Sequence, residues 1–241
     1  MLYIIGLGLN KEGITQEGLS AIGKCAKIYL EGYTVDFPYL VEELEKIIGK
    51  KIVKLVREDV EGDKLVREAG KEDIALLVYG SPLFATTHTS LIMDAKKAGI
   101  ETRIIYSASI FDALAETGLQ LYKFGKITSM PAWKKNFTPD SFLDIVKENA
   151  SIKAHSLILT DIGLSLKDAL SQLEISAKNK KMKIENIIVC SQMGTKTRKI
   201  LYDTLDNLKK KDVNLPFCLI LASDMHFLEK EALESASKSM R

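Results

Sequence analysis

The chain is written in two alternating hydrophobic patterns. Short, uninterrupted apolar runs form the first, and residues 74–79 (IALLVY) are the clearest example. A strand buried on both faces of a parallel sheet reads this way, without polar alternation. Residues 3–5, 27–31, 51–55 and 102–106 read as further strands. Between them, apolar positions recur at helical spacing. Leu19, Ile22 and Cys25 follow Thr15, a plausible N-cap, and Leu40, Val41, Leu44 and Ile48 share one face over 38–48. The acidic run at 57–61 suits the positive start of another helix, and a further helix is expected over about 90–98. Strands alternating with helices imply βαβ units, a parallel sheet and right-handed crossovers.

The pattern changes after Gly118. Residues 119–126 (LQLYKFGK) make no clean helix, and Pro131 and Trp133 mark irregular chain. Pro139 at a first helical position starts a helix that runs to about 149. Strands are expected at 156–160, 186–190 and 217–221. Helices are expected at 165–177, with Ser165 and Asp168 at capping-box spacing, at 199–208, and from about 225. A domain boundary is expected between 111 and 124, giving α/β domains at 1–112 and 113–241. No repeat or low-complexity segment is evident, and the basic turns at 178–183 and 209–211 read as solvated surface.

Composition removes several classes of function. The 241 residues carry 34 basic and 32 acidic side chains, a net charge of +2, which leaves no electrostatic footprint for nucleic acid along a face. Cys25, Cys190 and Cys218 stand apart without C-x-x-C spacing, which suits a reducing compartment. His88, His155 and His226 are equally isolated, so no zinc or di-iron pattern arises. No signal segment and no apolar run of about 18 residues is present, so a soluble, cytoplasmic protein without membrane or nucleic-acid partners is expected.

What chemistry remains lies in turns that leave the strands. They are 6–9 (GLGL), 80–88 (GSPLFATTH), 107–110 (SASI) and 160–163 (TDIG), all rich in Gly, Ser or Thr. Ligands of open α/β sheets bind beyond the carboxyl ends of the strands, where such turns sit. Each turn also has a plainer reading. The two glycines serve a tight turn equally well, since the dinucleotide fingerprint would need glycine where Lys11 stands. Thr86, Thr87 and Thr89 around His88 suit a strand-to-helix connection, and Ser109, spaced from Asp112 as a capping box, suits a helix cap. No triad, carboxylate pair or metal cluster is visible.

Together the stretches GLGL at 6–9, E-x-Y-T at 31–34, REDVE at 57–61, ATTH at 85–88, ASI at 108–110 and GLQLYKFGK at 118–126 resemble the diphthine synthases. These belong to the tetrapyrrole-methylase class of S-adenosylmethionine-dependent methyltransferases. The similarity continues through KENA at 147–150, His155, Asp161-Ile162 and His226. It implies two α/β domains with S-adenosylmethionine in the cleft between them, in a homodimer. It also implies methylation of the amino group on the aminocarboxypropyl-modified histidine of translation elongation factor 2. In archaeal-type members this gives trimethylated diphthine, and eukaryotic-type members also make a methyl ester. By position, cofactor contacts would fall on Leu9, Ser81, Phe84, Ser109, Ile110, Thr160, Met193 and Phe217.

Two departures bear on cofactor affinity. The family pattern has Asp where Ser81 stands, and an A-R-x-G-like turn in place of CSQMGT at 190–195. Methyl transfer to an amine needs alignment, exclusion of water and a neutral nucleophile, so a nearby proton acceptor would help. Glu31 and His88 are the candidates. The plainer readings are a solvated strand end for Glu31 and a hydrogen-bonded helix-start residue for His88. Two alternatives to the elongation-factor enzyme stay open: a corrin or porphyrin methylase, and a non-catalytic protein of the same fold that binds cofactor or partner.

Overall fold

The computed structural model describes residues 1–85 and 87–238. The chain divides into two compact units, Met1–Ile110 and the remainder from Phe111 onward.

The first unit is a five-stranded parallel sheet with helices in the crossovers. In chain order it runs β1 (Leu2–Gly6), α1 (Gln16–Lys24), β2 (Lys27–Glu31), α2 (Val41–Ile48), β3 (Val53–Leu55), α3 (Arg57–Glu61), α4 (Lys64–Ala69), β4 (Ile74–Val78), α5 (His88–Lys97) and β5 (Thr102–Ile105). The sheet order is β3-β2-β4-β1-β5, so β1 and β4, the most apolar strands, lie inside. All five residues of each are buried, as a strand covered on both faces requires. One face packs Ile5, Ile28, Leu30 and Leu77 with Ile22 and Leu44 of α1 and α2. The other packs Ile4, Tyr29 and Leu76 with Val60, Leu65 and Leu91 of α3, α4 and α5. Thr15 caps α1, accepting a hydrogen bond from the Gly18 N–H at 3.0 Å.

Several boundaries differ from the periodicity. The helix expected at 38–48 begins at Val41, because Leu40 is still extended. The acidic segment at 57–61 is a five-residue helix of its own, ended where Gly62 turns extended. The helix expected from 90 begins at His88, which places that histidine on the core-facing stripe with Leu91 and Ala95.

The second unit begins inside a short helix, α6 (Ile110–Ala113), which tightens into a 3-10 turn at Leu114–Thr117. A second 3-10 turn, Leu121–Lys123, leads to β6 (Thr128–Met130), α7 (Phe142–Ser151), β7 (Ser156–Thr160), α8 (Leu166–Asn179), β8 (Asn186–Ser191), β9 (Lys199–Thr204), α9 (Leu205–Leu208), β10 (Phe217–Leu221) and α10 (Phe227–Lys238). Its sheet is mixed, ordered β6-β7-β10-β8-β9, with only β6 and β7 parallel. The expected helix at 199–208 is corrected. Residues 199–204 pair antiparallel with β8 from Ser191↔Lys199 to Asn186↔Thr204, and only the last four residues are helical. Ile200 and Leu201 fit either period, and the free edge of β8 decides in favour of the strand.

The stretch 118–126 turns out to be an anchor. Gly118 adopts φ +80°, and a Cβ there would lie 2.3 Å from the Ala232 Cβ of α10. Glu229 of α10 accepts from the Gln120 N–H at 2.9 Å and pairs with Lys123 at 2.5 Å and His155 at 3.2 Å. The His155 Nδ1 in turn accepts from the Ser223 N–H at 3.0 Å, which leaves Nε2 to donate to Glu229.

Candidate active site

The carboxyl edge of the first sheet gathers the turns singled out in the sequence. Gly8 and Gly80 exchange backbone hydrogen bonds of 3.1 and 2.9 Å, tying the turn after β1 to the turn after β4. Both hold positive φ, +69° and +74°, which favours glycine. A Cβ on Gly6 would come within 2.7 Å of the Gly80 carbonyl, so this approach depends on glycine. At Gly80 a Cβ would meet nothing nearer than 3.9 Å, where the Ala108 carbonyl and Ser109 Cα lie. The turn that follows β5 thus comes close to the turn that follows β4.

Five of the positions drawn from the resemblance line this edge. Leu9 is buried and its carbonyl accepts from the Tyr79 hydroxyl at 3.0 Å. Ser81 and Phe84 are half-buried in the turn after β4, where the Phe84 N–H reaches the Ser81 carbonyl at 3.4 Å. Ser109 is buried, and Ile110 follows it as the first residue of α6. Leu83 and Ala85 hold φ of +67° and +53°. Left-handed backbone in residues with side chains costs about 1–3 kcal/mol and gathers at functional sites. Thr86 lies outside the described residues.

The other three positions belong to the second unit and come together there. Thr160 ends β7 and donates its hydroxyl to the Phe217 carbonyl at 2.5 Å. Phe217 opens β10, opposite Ser191 at the end of β8. Met193 is buried in the turn that follows. That turn, the CSQMGT departure, is firmly built. The Gln192 N–H and side-chain amide donate to the carbonyls of Pro216 and Leu215, at 2.8 and 2.9 Å, and Ser191 donates to Asn214 at 2.6 Å.

Glu31 and His88 are where the sequence reading needs correction. Glu31 is no solvated strand end: it is 1% exposed. It shares the pleat face of Tyr29, so it points toward the α3–α5 layer rather than into water. His88 is also 1% exposed, and neither ring nitrogen has a hydrogen-bond partner. The carboxylate and imidazole face each other, with Nε2 3.9 Å from Oε2. Burial raises the Glu31 pKa; the Thr34 hydroxyl, the Arg57 charge and nearby backbone N–H groups pull it partly back without reaching hydrogen-bond geometry. Burial lowers the His88 pKa against the opposing pull of Glu61. Two neighbours were missed in the sequence. The Tyr33 hydroxyl is buried without a partner, its pKa pushed up to about 12 by burial and by Glu31 and Glu61. The Arg57 guanidinium lies 5.1 Å from the Tyr33 ring centroid. The signal for Arg57 was its place two residues after β3, at the same edge.

Among the described residues, no three His, Cys, Asp or Glu side chains cluster as a metal site, and no helix is long and apolar enough to cross a membrane.

The architecture matches known proteins over its length. Residues 1–209 match the family model of the tetrapyrrole (corrin/porphyrin) methylases. The chain belongs to this family. Within it, the similarity is to the diphthine synthases. The chain is 38% identical to the diphthine synthase of Methanocaldococcus jannaschii, over 97% of this chain and 98% of that protein. It is 35% identical to the diphthine methyl ester synthase of Schizosaccharomyces pombe, over 98% and 94%. A crystal structure of diphthine synthase superposes with a TM-score of 0.88 at 32% identity, covering 98% of this chain and 96% of that one. This methylase is therefore a methyltransferase of α/β architecture with two sheets, one of them wholly parallel.

Proposed function

We propose that this methylase transfers methyl groups from S-adenosylmethionine to the amino group of the aminocarboxypropyl-modified histidine of elongation factor 2, in diphthamide biosynthesis. The similarity to diphthine synthases and diphthine methyl ester synthases, end to end, is the observation that carries this reading. A ring methylase shares the family model, but the full-length relatives favour the protein substrate.

The residues present fit the cofactor. Leu9, Phe84 and Ile110 at the edge of the first sheet have the apolar character an adenine ring needs, and Met193 and Phe217 of the second unit have the same character. Ser81, Ser109 and Thr160 offer hydroxyls, and the Gly8 and Gly80 turns offer backbone at close approach. When bound, the cofactor supplies a methyl group on a positively charged sulfur that leaves readily. The protein then has to hold the amine in line, keep water out and take up a proton. No nucleophilic residue is needed, which accords with the glycines, hydroxyls and apolar side chains of the turns around Gly8, Gly80 and Ser109.

The assembly is proposed as a homodimer acting in the cytoplasm, with elongation factor 2 as its protein substrate. Incubation with methyl-labelled S-adenosylmethionine tests the reading. Label should enter elongation factor 2 that carries the aminocarboxypropyl group and should not enter unmodified factor or a free porphyrinogen. Label in the porphyrinogen alone would overturn it.

A further inference from the structure

Seven buried side-chain nitrogen and oxygen atoms lack a hydrogen-bond partner among the described residues. Five of them, two on Glu31, two on His88 and one on Tyr33, belong to a single corner of the first unit. Each such atom costs about 1–3 kcal/mol when left unpaired, so proteins rarely leave one, and a cluster demands a reason. The corner lies at the carboxyl edge of the sheet. Glu31 pairs in register with Leu55 on one side, and on the other follows Leu30, which pairs with Leu77. The Gly80 turn therefore leaves the neighbouring strand at the same edge.

The charges around the corner are complementary to an amino acid. Glu31 and His88 offer acceptors for an amine. Arg57, stacked on Tyr33 and paired with Glu61 of its own helix at 3.4 Å, offers a partly exposed cation beside them. The charged and titratable groups bearing on the pair are Tyr33 after β2 and Arg57, Glu58 and Glu61 of α3. The Thr87 hydroxyl donates to Glu61 at 3.1 Å, linking α3 to the residue before His88.

We infer that this corner receives the amino-acid head of the substrate, with Glu31 and His88 taking the amine and its proton and Arg57 taking the carboxylate. The inference rests on the functional reading above, whose aminocarboxypropyl group carries both an amine and a carboxylate. In each methyl transfer the amine nitrogen forms a bond to the methyl carbon. The carbon–sulfur bond breaks, and its electron pair stays on sulfur. Before each transfer the ammonium form of the substrate gives one proton to the Glu31–His88 pair, which releases it to solvent, and the neutral amine so formed attacks; the quaternary product of a third transfer carries no N–H and gives none. A buried carboxylate with a raised pKa is a competent acceptor near neutral pH, and a neutral imidazole beside it can share the proton. Both side chains are closed from solvent in this state, behind the residues that lead into α5. Leu83 and Ala85, in left-handed conformations, lie in that connection.

The test compares Glu31→Gln and Arg57→Gln in the full-length protein, with elongation factor 2 carrying the modified histidine as substrate. Glu31→Gln should bind S-adenosylmethionine within about twofold of the parent and lose about 10²- to 10⁴-fold in kcat, as loss of a general base does. It should also lose the rise of kcat with pH, and formate should partly restore a Glu31→Ala variant. Arg57→Gln should raise KM with kcat nearly kept. Glu31→Gln with parental kcat and pH profile would overturn the inference. If the parent itself transfers nothing to elongation factor 2, the functional reading fails, and a second readout decides the corner. Propylammonium chloride should then shift the His88 ring resonances, with His155 and His226 as unmoved references, and should not do so in Glu31→Gln. No shift in the parent would overturn the inference. If Glu31→Gln does not fold, His88→Asn takes its place in the kinetic experiment with the same outcomes, and Glu31→Asp takes its place in the resonance experiment, where the shift should be weakened.

Discussion

Gly125→Ala should destabilise this protein by several kcal/mol. A Cβ built on Gly125 would lie 2.2 Å from the Asn149 Oδ1, 2.6 Å from its Cγ and 3.1 Å from the Ala154 Cβ. Asn149 is 1% exposed and cannot swing away freely. Its Oδ1 accepts from the Lys126 N–H at 2.9 Å, and its Nδ2 donates to the Lys126 carbonyl at 2.8 Å and the Ser156 hydroxyl at 3.0 Å. Displacing the amide gives up three hydrogen bonds of about 1 kcal/mol each and leaves buried groups unpaired, a total of about 3–5 kcal/mol. For a chain of this size that lowers Tm by about 10 °C. Denaturant unfolding measures the loss, with Gly23→Ala as the opposite control. Gly23 lies in α1 with no atom within 4 Å of a Cβ, so alanine there should add about 0.5–1 kcal/mol. In an Asn149→Ala background the collision partner is gone, and Gly125→Ala should cost little more. A loss below about 1 kcal/mol in the parent background, or full additivity with Asn149→Ala, would refute the steric argument.

Two further outcomes can be measured, the first resting on the family resemblance at Ser81 and the second on the geometry around Glu229. Ser81→Asp should tighten S-adenosylmethionine binding about fivefold by calorimetric titration, since a charged acceptor strengthens a hydrogen bond by about 1 kcal/mol; unchanged or weaker binding would sink this. Burial pushes the Glu229 carboxyl up, but the Gln120 N–H, Lys123, the His226 N–H and His155 together hold it down at about 2. A depressed carboxylate stabilises above its unfolded pKa of 4.5 and loses that contribution as pH falls toward 2. Glu229→Gln should therefore flatten the acid loss of stability between those values by up to about 3 kcal/mol, read from denaturant midpoints against pH; an unchanged slope would contradict the network.

How much of this was legible in the sequence differs by element. The buried strands announced themselves, because a run such as 74–78 has no polar residue to place in water. Caps were equally plain where a hydroxyl stood at the right offset, and Ser165 does accept from the Asp168 N–H at 3.1 Å. Residues 199–204 misled because Ile200, Leu201 and Thr204 satisfy helical spacing, while the deciding interaction is with β8, more than a turn of sequence away. Glu31 misled for a related reason. A glutamate ending a strand is ordinarily wet, and only the register shows that the α3–α5 layer covers it. The stretch 118–126 was conspicuous as pattern but opaque as physics. Its glycines answer to Ala232 and Asn149 and its Lys123 to Glu229, partners distant in sequence. The gathering of Leu9, Ser81 and Ser109 at one edge follows from strand order, which sequence spacing alone does not supply.

The most direct measurement is mass spectrometry of elongation factor 2 bearing the aminocarboxypropyl-histidine, after incubation with this methylase and S-adenosylmethionine. The account predicts mass gains in whole methyl steps, localised by fragmentation to that one side chain and absent when the cofactor is omitted. An unmodified factor, recovered from a reaction in which cofactor binding is shown separately, would contradict it.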